Sequence, residues 1–193
     1  MIEENKQTNT TNILFHDEAK TTLLAGASVV ADAVGCTMGP KGKCVLIQQR
    51  DKTPILTKDG VTVCRAIRLK DPMKRMGGDL LRDAAIRTND VAGDGTTTST
   101  VIAYALMKES HRLLSTGCEA LELVKGLELA KQYALHELSV QAQQITTRSQ
   151  VENVATISAN NDKEIGTLIA DAMERVGRDV IVTVEDAKGT QTT

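Results

Sequence analysis

A chain of 193 residues, 41% of them hydrophobic, can bury a sizeable core, and its length suits one domain plus a smaller second unit. Only 2% of the residues are aromatic and Trp is absent, so the core must be built from Ala, Val, Ile and Leu, a composition that favours packed helices. With 23 basic and 25 acidic residues the net charge is −2, and no long run of one sign occurs, which argues against a nucleic-acid groove or an anionic membrane surface as the main partner.

The polar amino terminus, Met1 to Asn12, reads as a mobile tail without the apolar stretch of a secretory signal. No later window approaches the roughly 18 apolar residues of a membrane span. These features read as a soluble cytoplasmic protein, and Cys36, Cys44, Cys64 and Cys118, widely spaced with no C-x-x-C pattern, read as reduced, largely inert thiols.

Asn12 to Phe15 suits one short strand. From His16 to about Cys36, Ala19, Leu23, Ala27, Val30 and Val34 recur at three- and four-residue steps, the stripe of a buried helix face, and Gly35 with Gly39-Pro40 ends it. Lys43 to Gln48 and Pro54 to Thr57 read as short strands, and Asp59-Gly60 as a turn. Helices are predicted over 73–91, 96–115 and 119–138, the last with Leu121, Val124, Leu127, Ala130, Ala134 and Leu138 as its apolar positions. The polar stretch Gln141–Ser149 reads as a hinge or domain boundary. Beyond it, Ser158 to Asp162 can cap a helix running to about Val176, and Val180 to Val184 is a β-rich run.

Chemistry concentrates in three places. Asn89 to Thr100 ends one helix and opens another, and a helix amino terminus with its unpaired N–H groups attracts phosphate oxygens. Gly93 and Gly95 let a ligand approach the backbone, and the hydroxyls of Thr96, Thr97 and Thr98 add donors. An Asp beside a polyphosphate requires a cation between them, so Asp94 reads as a Mg²⁺ ligand; taken alone, Asp94 or Thr96 also suits a plain helix cap. The loop Thr37-Met38-Gly39-Pro40-Lys41-Gly42 can turn backbone N–H groups toward an anion or serve as a connector. It is no P-loop, because Thr37 and Cys44 stand where Gly and Ser or Thr are required, and the helix precedes the loop. In Thr57 to Thr62, Lys58 can meet phosphate and Asp59 can orient water, while Asp-Gly alone is most simply a turn.

The segments TMGPKG at 37–42, TKDGVTV at 57–63, NDVAGDGTTTSTV at 89–101 and VATISANNDKEIGTLIADAMERVG at 154–177, in this order, closely resemble the bacterial-type (group I) chaperonins, the GroEL family. The likeness runs from about Phe15 to Asp186. It implies a mainly α fold: the first segment of a chaperonin equatorial ATP-binding domain over 1–140, a helical bundle with short β-strands, then over 141–193 the first limb of a small α/β intermediate hinge domain. It also implies an ATP-dependent chaperone that assists protein folding and works in a ring of like subunits. Carried onto matching positions, the nucleotide contacts are Thr37, Met38, Gly39, Pro40, Lys58, Asp94, Gly95, Thr96, Thr97 and Thr98. Asp94 holds Mg²⁺, and Asp59 helps position the attacking water beside an optional K⁺.

The resemblance places Thr193 about where an apical domain begins, so the surfaces for unfolded clients and co-chaperonin, the returning intermediate limb and the second equatorial segment are expected outside this chain. Arg68, Lys70 and Arg75 occupy a stretch that is usually acidic in the family, and 141–149 departs from its pattern. Two functions remain open on these grounds: a piece of an ATP-driven folding machine, or a non-catalytic assembly module that joins complete subunits.

Overall fold

The computed structural model describes residues 13–49 and 53–177. Among them the elements run α1 (His16–Gly35), β1 (Val45–Ile47), β2 (Ile55–Thr57), α2 (Gly60–Ala66), α3 (Pro72–Ala92), α4 (Thr96–Ser115), α5 (Ala120–Gln141), α6 (Arg148–Ser158) and α7 (Lys163–Val176). The run Val180 to Val184 lies outside the described residues. The chain divides into two compact units, the first reaching Lys131 and the second starting at Gln132.

The first unit is organised by α1. Its predicted stripe turns inward, with Ala27, Val30, Ala31 and Val34 buried, and these join Val63 and Cys64 of α2 and Leu81 and Ala85 of α3 in one core. No aromatic ring belongs to that buried set, and small side chains bring the helix axes close. The closest approach uses glycine on both helices: a Cβ at Gly26 would overlap the Lys74 carbonyl of α3, and one at Gly77 would overlap the Leu23 carbonyl of α1. α4 completes the packing through Ala103, Tyr104 and Met107.

β1 and β2 pair antiparallel, with Val45 opposite Thr57, Leu46 opposite Leu56 and Ile47 opposite Ile55. The period of two turns Val45 and Ile47 onto the core while Leu46 and Leu56 face outward. The strand expected at the amino terminus is not formed over Ile13–Phe15. Among the described residues the only sheet is the β1–β2 pair, and Ile13 and Phe15 are exposed.

The Asp59-Gly60 turn expectation also needs correction, because Asp59 caps α2, a helix that periodicity did not announce. In seven residues α2 buries Gly60, Val61, Val63 and Cys64, so tertiary packing supports a helix too short to be stable by itself. α3 starts on an Asp71 cap with Pro72 in its first turn and stops at left-handed Gly93.

α5 forms close to its predicted bounds, but none of its residues is buried, and Leu121 and Leu138 are 66% and 64% exposed. In the second unit, α6 begins at Arg148, inside the stretch read as hinge. Thr147 and Gln150 form a reciprocal capping box that overrides the weak periodicity there. Asp162 caps α7 as expected. Arg148 bonds Asp171, Glu152 (3.1 Å) and Glu174 (3.3 Å), tying the start of α6 to α7. Among the described residues no helix is long and apolar enough to cross a membrane.

Candidate functional site

Three loops carry the predicted site residues, all in the first unit. The first, Thr37–Lys43, leaves the end of α1 and closes on itself: Lys43 N–H donates to the Cys36 carbonyl at 2.8 Å and Gly42 N–H to the Gly39 carbonyl at 2.9 Å. Thr37 is buried, and its hydroxyl donates to the Val34 carbonyl at 2.8 Å, which anchors the loop to α1. Met38, Gly39 and Pro40 are exposed. Gly39 holds φ +77°, a conformation that favours glycine, and Gly42 lies so close to the Thr37 carbonyl that a side chain there would overlap it.

The second loop is the Lys58-Asp59 turn. The Asp59 carboxylate is held from several directions: Oδ1 accepts from Val61 N–H at 3.3 Å, and Oδ2 accepts from Thr62 N–H at 3.0 Å and from the Thr62 hydroxyl at 2.5 Å. Asp59 N–H in turn donates to Thr57 Oγ1 at 3.0 Å. Its orientation is therefore fixed by its role as cap of α2. Lys58 beside it is exposed.

The third is Gly93-Asp94-Gly95 at the start of α4. Both glycines are left-handed, φ +71° and +81°, and they set the exposed Asp94 at the apex of a sharp corner. Asp94 Oδ1 accepts from Gly95 N–H at 2.6 Å. The cap of α4 is Gly95 itself, not Asp94 or Thr96. A glycine cap supplies no side chain to the first-turn N–H groups, in contrast to Asp59, Asp71, Thr147 and Asp162 at other helix starts. Thr96 is buried, and its carbonyl accepts the hydroxyls of Ser99 and the fully buried Thr100 at 2.9 and 2.8 Å. Thr97 is half-buried and Thr98 exposed.

Two contacts bring these loops to one corner. A Cβ at Gly60 would stand 3.2 Å from Thr97 Cα and overlap Thr97 Oγ1, so the Asp59 turn is pressed onto the first turn of α4. At the end of α1, Gly35 faces Val101, 3.6 Å separating a Cβ position from Val101 Cγ2, which sets the Thr37 loop beside the same helix. Sequence alone did not single out Gly60, which permits the contact, or Thr62, which holds Asp59; Asp59 as a favoured cap residue was the available signal.

Among the described residues no group of three or more His, Cys, Asp and Glu side chains is placed to hold a metal. The exposed Asp94 carboxylate next to anion-attracting N–H groups fits Mg²⁺, which takes one or two carboxylates and completes its shell with phosphate oxygens and water. An apolar cavity of about 510 Å³ between α6 and α7, walled by Ile145, Val151, Val154, Ala155, Ile169 and Met173 among others, contains none of the predicted site residues.

The fold is shared with solved structures. The chaperonin gp146 from bacteriophage EL 2 (Pseudomonas aeruginosa), solved in the presence of ATP-BeFx, is 28% identical with a TM-score of 0.69; the match covers 82% of this chain and 28% of that one. A group III chaperonin in the open state is 23% identical with the same TM-score of 0.69, over 82% of this chain and 32% of that one. The chain thus spans about a third or less of these relatives, and its mainly helical architecture is that of the chaperonin equatorial domain. The model of the TCP-1/cpn60 chaperonin family matches residues 30–192, most of the chain, and the chain belongs to the TCP-1/cpn60 chaperonin family.

Proposed function

We propose that this chain supplies the ATP·Mg²⁺-binding part of a chaperonin subunit of the bacterial group I type, in an assembly that assists protein folding. The single observation that carries the reading is the packing of Gly60 on Thr97, which joins the Asp59 turn to the glycine-flanked Asp94 corner. The presence of ATP-BeFx in the gp146 structure supports a nucleotide here.

In this reading, first-turn N–H groups of α4 and the hydroxyls of Thr97 and Thr98 donate to phosphate oxygens, with the helix dipole favouring the negative charge. Backbone from Thr37 to Pro40 closes the opposite side, and Lys58 adds a positive charge near the phosphates. Asp94 holds Mg²⁺, which when bound offsets phosphate charge and polarises the terminal phosphoryl group. Asp59, locked by Thr62, orients water for attack, with K⁺ as a further counter-charge. Residues 1–140 form the equatorial segment and 141–193 the first limb of the hinge, through which binding is relayed to the parts of the assembly that meet clients and co-chaperonin. The subunits form a ring in the cytoplasm.

Isothermal titration with ATP tests this. Binding is expected in the presence of Mg²⁺, with at least about tenfold loss in Asp94→Ala, the scale of one charge-assisted contact. Slowed amide exchange over 93–98 with saturating ATP·Mg²⁺ is the companion result, and unchanged exchange would sink the reading. The non-catalytic assembly module is favoured instead by the exposed apolar residues of α5. It predicts association with complete subunits and no phosphate release.

A further inference from the structure

Cys36 and Cys44 bracket the Thr37–Lys43 loop, and both are free and exposed, whereas Cys64 is buried. The chain reverses between them. Lys43 N–H donates to the Cys36 carbonyl at 2.8 Å, and Gly42 packs directly against the Thr37 carbonyl. The two backbones bearing the thiols are therefore already joined one residue from Cys44, and standard bond lengths keep the two Cα atoms within about 10 Å. A disulfide needs roughly 4.4–6.8 Å between Cα atoms, a distance within that bound, and the exposed residues Met38 to Lys41 are the part of the loop that can adjust to reach it. Outward position favours it further, since Val45 and Ile47 pack on the core while Cys44 and Leu46 alternate to the outer face.

We propose that Cys36 and Cys44 are a redox pair whose disulfide staples this loop and regulates the nucleotide site. The inference about regulation rests on the functional reading above; formation of the bond does not. With a low-molecular-weight disulfide such as oxidised glutathione as oxidant, one cysteine thiolate attacks its S–S bond. One glutathione thiolate leaves with the electron pair. The second cysteine thiolate then attacks the mixed disulfide and expels the other glutathione. Two protein thiols are oxidised to one disulfide, two electrons reduce the glutathione disulfide, and the two thiol protons pass to the departing glutathiones.

The consequence for the loop follows from Cys36. Its thiol now donates back to the Ala33 carbonyl at 3.1 Å. To bond Cys44 it must turn away from α1, and that pulls on Thr37, whose hydroxyl anchors the loop to Val34. Oxidation draws the loop from its position at the corner, and a reductant restores it.

The test treats dilute chain with oxidised glutathione and maps peptides without reduction. A linked Cys36–Cys44 peptide is expected, absent in Cys36→Ser and reversed by dithiothreitol, with no covalent dimer. Only glutathione adducts on the separate cysteines, in a chain whose circular dichroism shows it folded, would overturn the proposal. Binding of a fluorescent ATP analogue should fall about tenfold on oxidation and recover on reduction, while Cys36→Ser should not respond. A disulfide that leaves affinity unchanged removes the regulatory claim. A disulfide in a chain that binds no ATP in either state upholds the redox pair and overturns the nucleotide reading.

Discussion

Gly60, the first residue of α2, stands against Thr97 in the first turn of α4 with room for hydrogen and nothing larger. Ala at position 60 would have to push the two helix starts apart. Gly60→Ala is therefore expected to cost about 1–3 kcal/mol of stability, the usual range for overpacking. It should also weaken ATP·Mg²⁺ binding beyond what the lost stability explains. Urea unfolding and titration with nucleotide, both under conditions where the variant remains folded, separate the two effects.

The same steric logic separates two other helix glycines. A Cβ at Gly77 meets the backbone carbonyl of Leu23, which cannot swing aside, while one at Gly126 meets nothing within 4 Å. Gly77→Ala should destabilise the first unit by at least the overpacking range of about 1–3 kcal/mol. Gly126→Ala, in the interior of α5, should stabilise by about 0.5–1 kcal/mol through helix propensity. Opposite shifts of the thermal midpoint are the expected result, and shifts of the same sign would contradict the packing described.

Substitution can part the capping role of Asp59 from the water-orienting role proposed for it. As a cap it accepts from Val61 through one oxygen and from Thr62 through the other, and Asn, itself a good cap residue, keeps one of these two acceptors. Asp59→Asn should therefore lose less stability than Asp59→Ala, which should lose about 1 kcal/mol. If Asp59 orients water, both substitutions abolish phosphate release in whatever assembly shows it. Phosphate release retained by Asp59→Asn would assign Asp59 to capping alone.

Cys64 gives a pH dependence. Burial pushes its thiol above the ordinary value of 9.0, while the charges of Arg82 and Arg68 oppose the shift. The folded state holds the proton more tightly than the unfolded chain does. The thiol's contribution to stability is thus fully present below the ordinary value and is lost as pH rises through the higher folded-state value. Melting curves from about pH 8 to about pH 10.5 should show the advantage over Cys64→Ala shrinking as pH rises. A constant gap between the two proteins would refute the assignment. At neutral pH, thiol reagents should label Cys36 and Cys44 well before Cys64.

Local rules made much of this chain legible as sequence. The stripe through Ala27, Val30 and Val34 announced α1, and Asp162 and Gly177 bounded α7 within a residue. The glycine-flanked Asp94 marked the start of α4 because φ > 0 and helix initiation are written in a few adjacent residues. What only tertiary structure decided is of longer range. Seven residues of α2 are helical because Val63 and Cys64 find a core built by α1 and α3, and no local pattern reveals that core. α5 has the composition of a packed helix yet buries nothing within the described residues, since burial depends on a facing surface and not on the helix itself. The meeting of Gly60 with Thr97 lies between residues 37 positions apart, and it exists because α2 and α4, which carry them, both pack on the core of α1 and α3. Periodicity specifies which face of a helix is apolar; only the packed chain specifies what that face meets.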